Sequence, residues 1–270
     1  MIKHRQIIDK IGFEHLAQAI DEDLARLFNY AMRFKKGGSI DDVSSYILPL
    51  ILARWDCVLL AENGLAKYYK EKVFLMLAIL LHKYGLSENR ITEEAIKSIT
   101  ILNDNMVLGE DFFRKSQEIK KLLKTKPLEL RRKPRKPQNI TFFRANDIIS
   151  IKIDGKYYIA YIHKLTGVNE AAVIEFYDEV FEKIPKIKEL TNMKAKGERF
   201  NDGKIRIAKF AIYGMKHQPD LANQIHLIGS STKTNIVPDN KHLEESIGLF
   251  TVSNLFFIQK TIREMFKTEV

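Results

Sequence analysis

The spacing of apolar side chains changes once along this chain, from three or four residues before position 126 to two after position 138. Upstream, Leu16, Ile20, Leu24, Leu27 and Ala31 mark one side of a helix, with Asp21, Glu22 and Asp23 on its other faces, and Gly37-Gly38 ends it. Ser39 and Asp42 can cap a second helix that runs to about Glu62 through Ile47, Leu50, Ile51, Val58 and Leu59 and must absorb Pro49 as a kink or a late start. Asn63-Gly64 stops it. A third helix is predicted over Leu65–Tyr84, and its block Val73–Leu81 is apolar nearly all round, the pattern of the central helix of a bundle. Shorter helices near Thr92–Leu102 and Glu110–Lys124 complete this region.

Downstream, Ile149, Ile151 and Ile153 point one way, Asp154-Gly155 supplies the positive φ angles of a two-residue turn, and Tyr157, Ile159 and Tyr161 alternate on the return. A third strand fits Ala172–Tyr177. Asn201-Asp202-Gly203 turns the chain into a run from Ile205 to Tyr213, and His226–Ile228 and Leu249–Val252 are short strands. Helical spacing returns at Leu255, Ile258, Ile262, Met265 and Phe266, with Ser253 placed as N-cap. The predicted class is α+β: a helical bundle domain over 1–125, a linker over 126–138, and a β-rich domain over 139–270 with a small, curved antiparallel sheet and a C-terminal helix.

The net charge of +10 suggests a polyanion, but its placement qualifies that. Half of the excess lies in residues 126–138, and both flanking regions are nearly balanced. Within this stretch, Leu130–Gln138 reads LRRKPRKPQ. Pro134 and Pro137 exclude helix and keep the backbone extended and hydrated, which describes a semi-rigid connector. The other reading is a phosphate-contacting arm of Arg131, Arg132, Lys133, Arg135 and Lys136, expected to bind nucleic acid with strong salt dependence. No aromatic residue interrupts Lys126–Gln138, so base stacking has no platform there.

The single cysteine, Cys57, excludes an internal disulfide framework and multi-cysteine zinc motifs. No secretory signal is visible, Val73–Leu81 is too short to span a bilayer, and Arg54 and Asp56 interrupt Ile47–Leu60, so a cytoplasmic protein without a membrane partner is expected. Catalytic patterns are equally scarce. The seven histidines include no HExxH pair, and neither glycine-rich nucleotide motif occurs. His217, Asp220 and His226, followed by Ser230 and Ser231, could be arranged into a hydrolytic triad, but no Gly-x-Ser-x-Gly elbow accompanies them. Glu175, Asp178, Glu179 and Glu182 could pair as acid and base, yet Lys183, Lys186 and Lys188 make solvated ion partners the plainer account. Trp55 reads as a half-buried core residue rather than an interface anchor. No catalytic residue, metal or cofactor is expected.

One cluster stands out. Tyr157, Tyr158, Tyr161, Phe176, Tyr177 and Phe181 are too many for one face of a small sheet, since neighbours along a strand face opposite ways. The expectation is that Tyr157, Tyr161 and Tyr177, with Asp178, meet a protein partner, because aromatic anchors beside carboxylates suit a protein better than a phosphate backbone.

The segment Phe143–Ile184 resembles one of the immunity-protein families of bacterial polymorphic toxin systems. In that pattern a small sheet domain opens on a Gly-Asp-x-aromatic-x-Ile-like strand, returns through a Tyr-rich strand and later shows a Phe-Tyr-Asp-like element. Here the positions read Asn146-Asp147-Ile148, with asparagine in the glycine's place, then Tyr157-Tyr158 with Tyr161, and Phe176-Tyr177-Asp178. The resemblance covers about 40 of the 270 residues and implies a non-catalytic inhibitor that binds and neutralises a cognate toxin domain.

Overall fold

The computed structural model describes residues 2–34, 40–130, 132–230 and 236–267, with the side chains of 33, 34 and 40–42 left aside. The expected stop at Gly37-Gly38, the caps Ser39 and Asp42, and the residues Arg131 and Ser231 therefore lie outside the described residues or side chains. The chain forms two compact units, Met1–Pro137 and Gln138–Val270.

The first unit holds α1 (His4–Ile11), α2 (Glu14–Phe34), α3 (Ile40–Leu59), α4 (Tyr69–Lys83), α5 (Asn89–Asp104) and α6 (Glu110–Leu123). The predicted stripe of α2 is buried from Leu16 to Ala31. Asp23, expected on an outer face, is buried too, because its carboxylate accepts the indole N–H of Trp55 at 3.1 Å. Trp55 itself is fully enclosed. Pro49 leaves α3 unbroken. Ile47, Ile51, Trp55, Val58 and Leu59 are buried on both sides of it, and at about 2 kcal/mol for each buried side chain they outweigh the roughly 3 kcal/mol that an interior proline costs. In α4 every side chain from Val73 to His82 is buried, as a helix apolar on all faces requires. It starts at Tyr69 rather than Leu65, since Tyr68 sits in the left-handed region at φ 62°. The Glu88 carboxylate caps α5 by accepting the Ile91 N–H at 2.6 Å. The short helix α1 has no counterpart in the prediction.

The second unit holds β1 (Ile148–Ile153), β2 (Lys156–Thr166), β3 (Ala171–Phe181), a 3-10 turn (Ile187–Leu190), β4 (Gly197–Arg199), β5 (Ile205–Ile207), β6 (Phe210–Tyr213), β7 (Ile225–Gly229), β8 (Thr251–Asn254) and α7 (Ile258–Met265). Six strands form one sheet in the order β7-β1-β2-β3-β6-β8, and β4 and β5 form a separate hairpin. All neighbours in the large sheet are antiparallel except β6 and β8, so it is mixed where a purely antiparallel one was expected. The α+β architecture stands, with its helices first, the sheet after them and a helix at the end.

Two details depart from the prediction. The run Ile205–Tyr213 is two strands in two sheets, which lets β5 turn back on β4 while β6 joins β3. Ser253 belongs to β8, and Asn254 makes the turn into α7, its Oδ1 accepting the Phe256 and Phe257 N–H groups at 2.9 and 3.1 Å. Among the described residues no helix is long and apolar enough to cross a membrane.

Candidate functional site

Strand alternation in the β1-β2-β3 meander sorts its side chains into two layers. Ile149, Ile151, Ile153, Tyr158, Ala160, Ile162, Ile174 and Phe176 share one face with Ile258 and Ile262 of α7, in a core that is apolar apart from the Tyr158 hydroxyl. The opposite face gathers Ile148, Ile159, Tyr161 and Tyr177 with Leu190, edged by Tyr157, Phe181, Met193, Ile236 and Val237. Polar groups thread this second layer.

The left-handed turn at Asn146, φ 70°, opens it. Asparagine tolerates that conformation better than most residues that carry a side chain. Its side chain also has a partner: Oδ1 accepts the Tyr161 hydroxyl at 2.6 Å. Buried Asp147 holds the same turn by accepting the Arg144 N–H at 2.8 Å. Pairing of Tyr161 with Glu175 across β2 and β3 then brings His163 against the Glu175 carboxylate at 2.6 Å. Glu175 is fully buried, and its other oxygen accepts the Asn240 amide at 3.2 Å. Tyr177 donates its hydroxyl to the Ile236 carbonyl. Burial pushes the Tyr177 phenol well above its ordinary range, with the nearby Tyr161 and Glu175 adding to it.

The structure thus corrects part of the expected site. Tyr161 and Tyr177 are buried core residues of the second layer, with both hydroxyls committed to the protein, and they are not offered outward. The reason is that Leu190, Met193, Ile236 and Val237 pack over this face and cover the rings the sheet exposes there. Tyr157 is half-buried, with the Lys152 ammonium over its ring at 5.4 Å and the His226 ring at 6.2 Å. Asp178 alone is exposed, and it accepts from Lys196 at 2.9 Å.

Asp178 lies on a polar cleft of about 600 Å³ shared with Lys196, Glu198, Arg199, His242 and Glu264. Gly197 forms its floor, where a Cβ would fall within 2.5 Å of Ile205 and 2.7 Å of Leu243. Burial, assisted by the charge of Glu264, raises the Glu198 carboxyl. Mixed charges of this kind suit a polar contact with a partner, since each has an opposite sign to offer.

Of the residues weighed for hydrolysis, His226 stands in β7, and His217 and Asp220 lie on the approach to it. Asp220 spends its carboxylate on the backbone N–H groups of Gln224 and Ile225, both at 3.0 Å. His226 is paired across the sheet with Ser150. Among the described residues no group of three or more His, Cys, Asp or Glu side chains could hold a metal ion. The buried His163–Glu175 pair is what sequence reasoning missed; its signal was the β2–β3 hairpin register, which puts both residues on one face.

One edge of the large sheet is formed by β8. Ile247, Leu249 and Val252 are 73%, 80% and 64% exposed, and β8 is the last strand of the sheet. Thr251 and Leu255 donate inward to Lys209 and Tyr213, so the Val252 N–H between them is directed away from β6. Comparison of the chain with protein-family models, with curated proteins and with solved structures finds no match.

Proposed function

We propose that this chain is a non-catalytic protein-binding protein of the immunity type, which neutralises a cognate bacterial toxin domain by occupying it. The observation that carries the reading is the β8 edge. Three large apolar side chains in six residues stand in solvent along the open edge of the sheet's last strand, an arrangement that soluble proteins otherwise avoid because it invites strand addition. A partner strand laid along β8 would take its backbone hydrogen bonds from Val252 and bury Ile247 and Leu249. Asp178 and the polar cleft, with Tyr157 at the rim of the second layer, remain available for polar contacts. The resemblance of Phe143–Ile184 to immunity proteins supplies the class of partner.

The test is co-production of the chain with the product of the neighbouring reading frame. Rescue of growth and a co-purifying complex are expected, and both should be lost in L249D/V252D, whose exposed positions leave the melting temperature within about 2 °C. A neighbouring product that is harmless, or that neither binds nor is silenced, ends the reading.

A further inference from the structure

The described residues of the segment from Lys126 to Pro137 belong to the first unit and have neither helix nor strand, yet they are tied to it at two places. At one end the backbone of Leu128–Leu130 crosses Gly85 so closely that a Cβ there would meet the Leu128 carbonyl at 2.9 Å, and Gly85 also holds a left-handed φ of 80°. At the other end the Asn29 amide donates to the Pro134 carbonyl at 3.1 Å. Between and beyond these ties, half-buried residues stand three apart within each of two stretches, Pro127 with Leu130 and Pro134 with Pro137. A proline-rich extended chain has three residues to the turn, so over residues 132–137 the ridge of Pro134 and Pro137 is held in while the other two face water.

The outward ridges carry the charge. Lys126, Arg132, Lys133, Arg135 and Lys136 are all exposed, and among the described residues no carboxylate lies within ion-pair distance of any of them. Elsewhere in the same unit some cations, Lys10, Lys83, Lys97, Arg114 and Lys115, are paired with an acid, while among the described residues the exposed Arg5, Arg90, Lys121 and Lys124 stand without one as the strap's do. Arg132 stands three residues from Arg135, and Lys133 three from Lys136, which at about 3.1 Å per residue spaces each pair roughly 9 Å apart. A flexible linker would lose this spacing in solution; the ties at Gly85 and Asn29 keep it.

We infer that this strap is a binding site for the phosphodiester backbone of nucleic acid, engaged through Arg132, Lys133, Arg135 and Lys136. The chemistry is that of unneutralised cations at fixed spacing facing a polyanion, whose condensed counterions are released on contact. Without aromatic side chains the strap reads no base, so it is indifferent to sequence. One exposed leucine, Leu128, falls short of the apolar face or acyl chain that a membrane-surface anchor needs. The inference is independent of the immunity reading, which rests on the other unit.

The experiment is fluorescence anisotropy of a labelled 20-nucleotide oligothymidylate, and of a 20-base-pair duplex, titrated with the full chain between 50 and 200 mM salt. With four phosphates neutralised, affinity for the single strand should fall about 50-fold over that range, and more steeply for the duplex. R132S/K133S/R135S/K136S should weaken binding at 50 mM salt by at least about tenfold, while R132K/R135K stays within about twofold, both with unchanged circular dichroism. Three results would overturn the site: affinity insensitive to salt, undiminished binding by the serine variant, or equal competition by polyglutamate or phosphatidylserine vesicles at matched charge.

Discussion

The two faces of the β1-β2-β3 meander are built on different principles although their residues alternate along the same three strands. One is apolar apart from the Tyr158 hydroxyl and is closed by α7. The other contains a buried carboxylate, an imidazole and two phenols, and is closed by irregular chain that bonds to them through Asn146, Ile236 and Asn240. The first depends on volume alone, which many side chains satisfy. The second depends on partners at defined distances, so a change that leaves volume intact can still disrupt it. The difference teaches where stability and where conformational specificity reside: α7 docks on a surface that contributes apolar burial, while the covering loops are pinned residue by residue.

The largest effect should come from the apolar face. Replacing Phe176 by alanine leaves a cavity beneath α7 and should lower the unfolding free energy by about 4 kcal/mol in urea titrations. Glu175→Ala comes next. It removes the carboxylate that both His163 and Asn240 contact, and the loss should be about 3 kcal/mol, with hydrogen exchange quickening around Asn240 while α7 stays protected. If Glu175→Ala also unprotects α7, the two faces are not separate structures. Tyr177→Phe keeps the ring and leaves the Ile236 carbonyl without its donor, for about 1–2 kcal/mol in the same titration.

That division was only half legible in the amino-acid order. Alternation correctly placed Ile149, Ile151 and Ile153 on one face and predicted that Tyr157 and Tyr158 would part company, because strand geometry is local. What happens to the second face is decided by residues 59 and 65 positions beyond their partners: Ile236 and Asn240 come over it, and nothing near Tyr177 announces them. Tyr161 and Tyr177 thus looked like anchors for another molecule, when the chain itself supplies their partners. Asp23 failed in the same way in the first unit, since its reason for burial is Trp55, 32 residues later. The β8 edge was readable as a strand, but its exposure was not, because the parallel pairing with β6 and the place of β8 at the end of the sheet are properties of topology. The Lys126–Pro137 strap shows the converse. Its composition was plain, whereas its anchorage to Gly85 and Asn29 needed the fold.

The smallest expected effect separates the faces by acid. His226 lies on the polar face beside Tyr157, with Ser150 paired to it from β1; burial lowers its proton affinity and the Lys152 ammonium adds to this, while Asp220 and the Asn223 carbonyl work the other way. In the unfolded chain the imidazole takes its proton near pH 6.5. In the fold it resists to lower pH, so on acidification the unfolded chain binds the proton first and gains relative to the native state. The stability that a neutral His226 allows is therefore complete above about pH 6.5 and declines as the pH falls below it. The apolar face has no imidazole in its core, so amides beneath α7 should keep their protection at pH 5 relative to pH 7.5 while those of β7 lose some. His226→Asn should flatten the dependence at β7. If it persists unchanged in that variant, the acid sensitivity of this face lies in another group, and the imidazole is only a spacer between Tyr157 and Ser150.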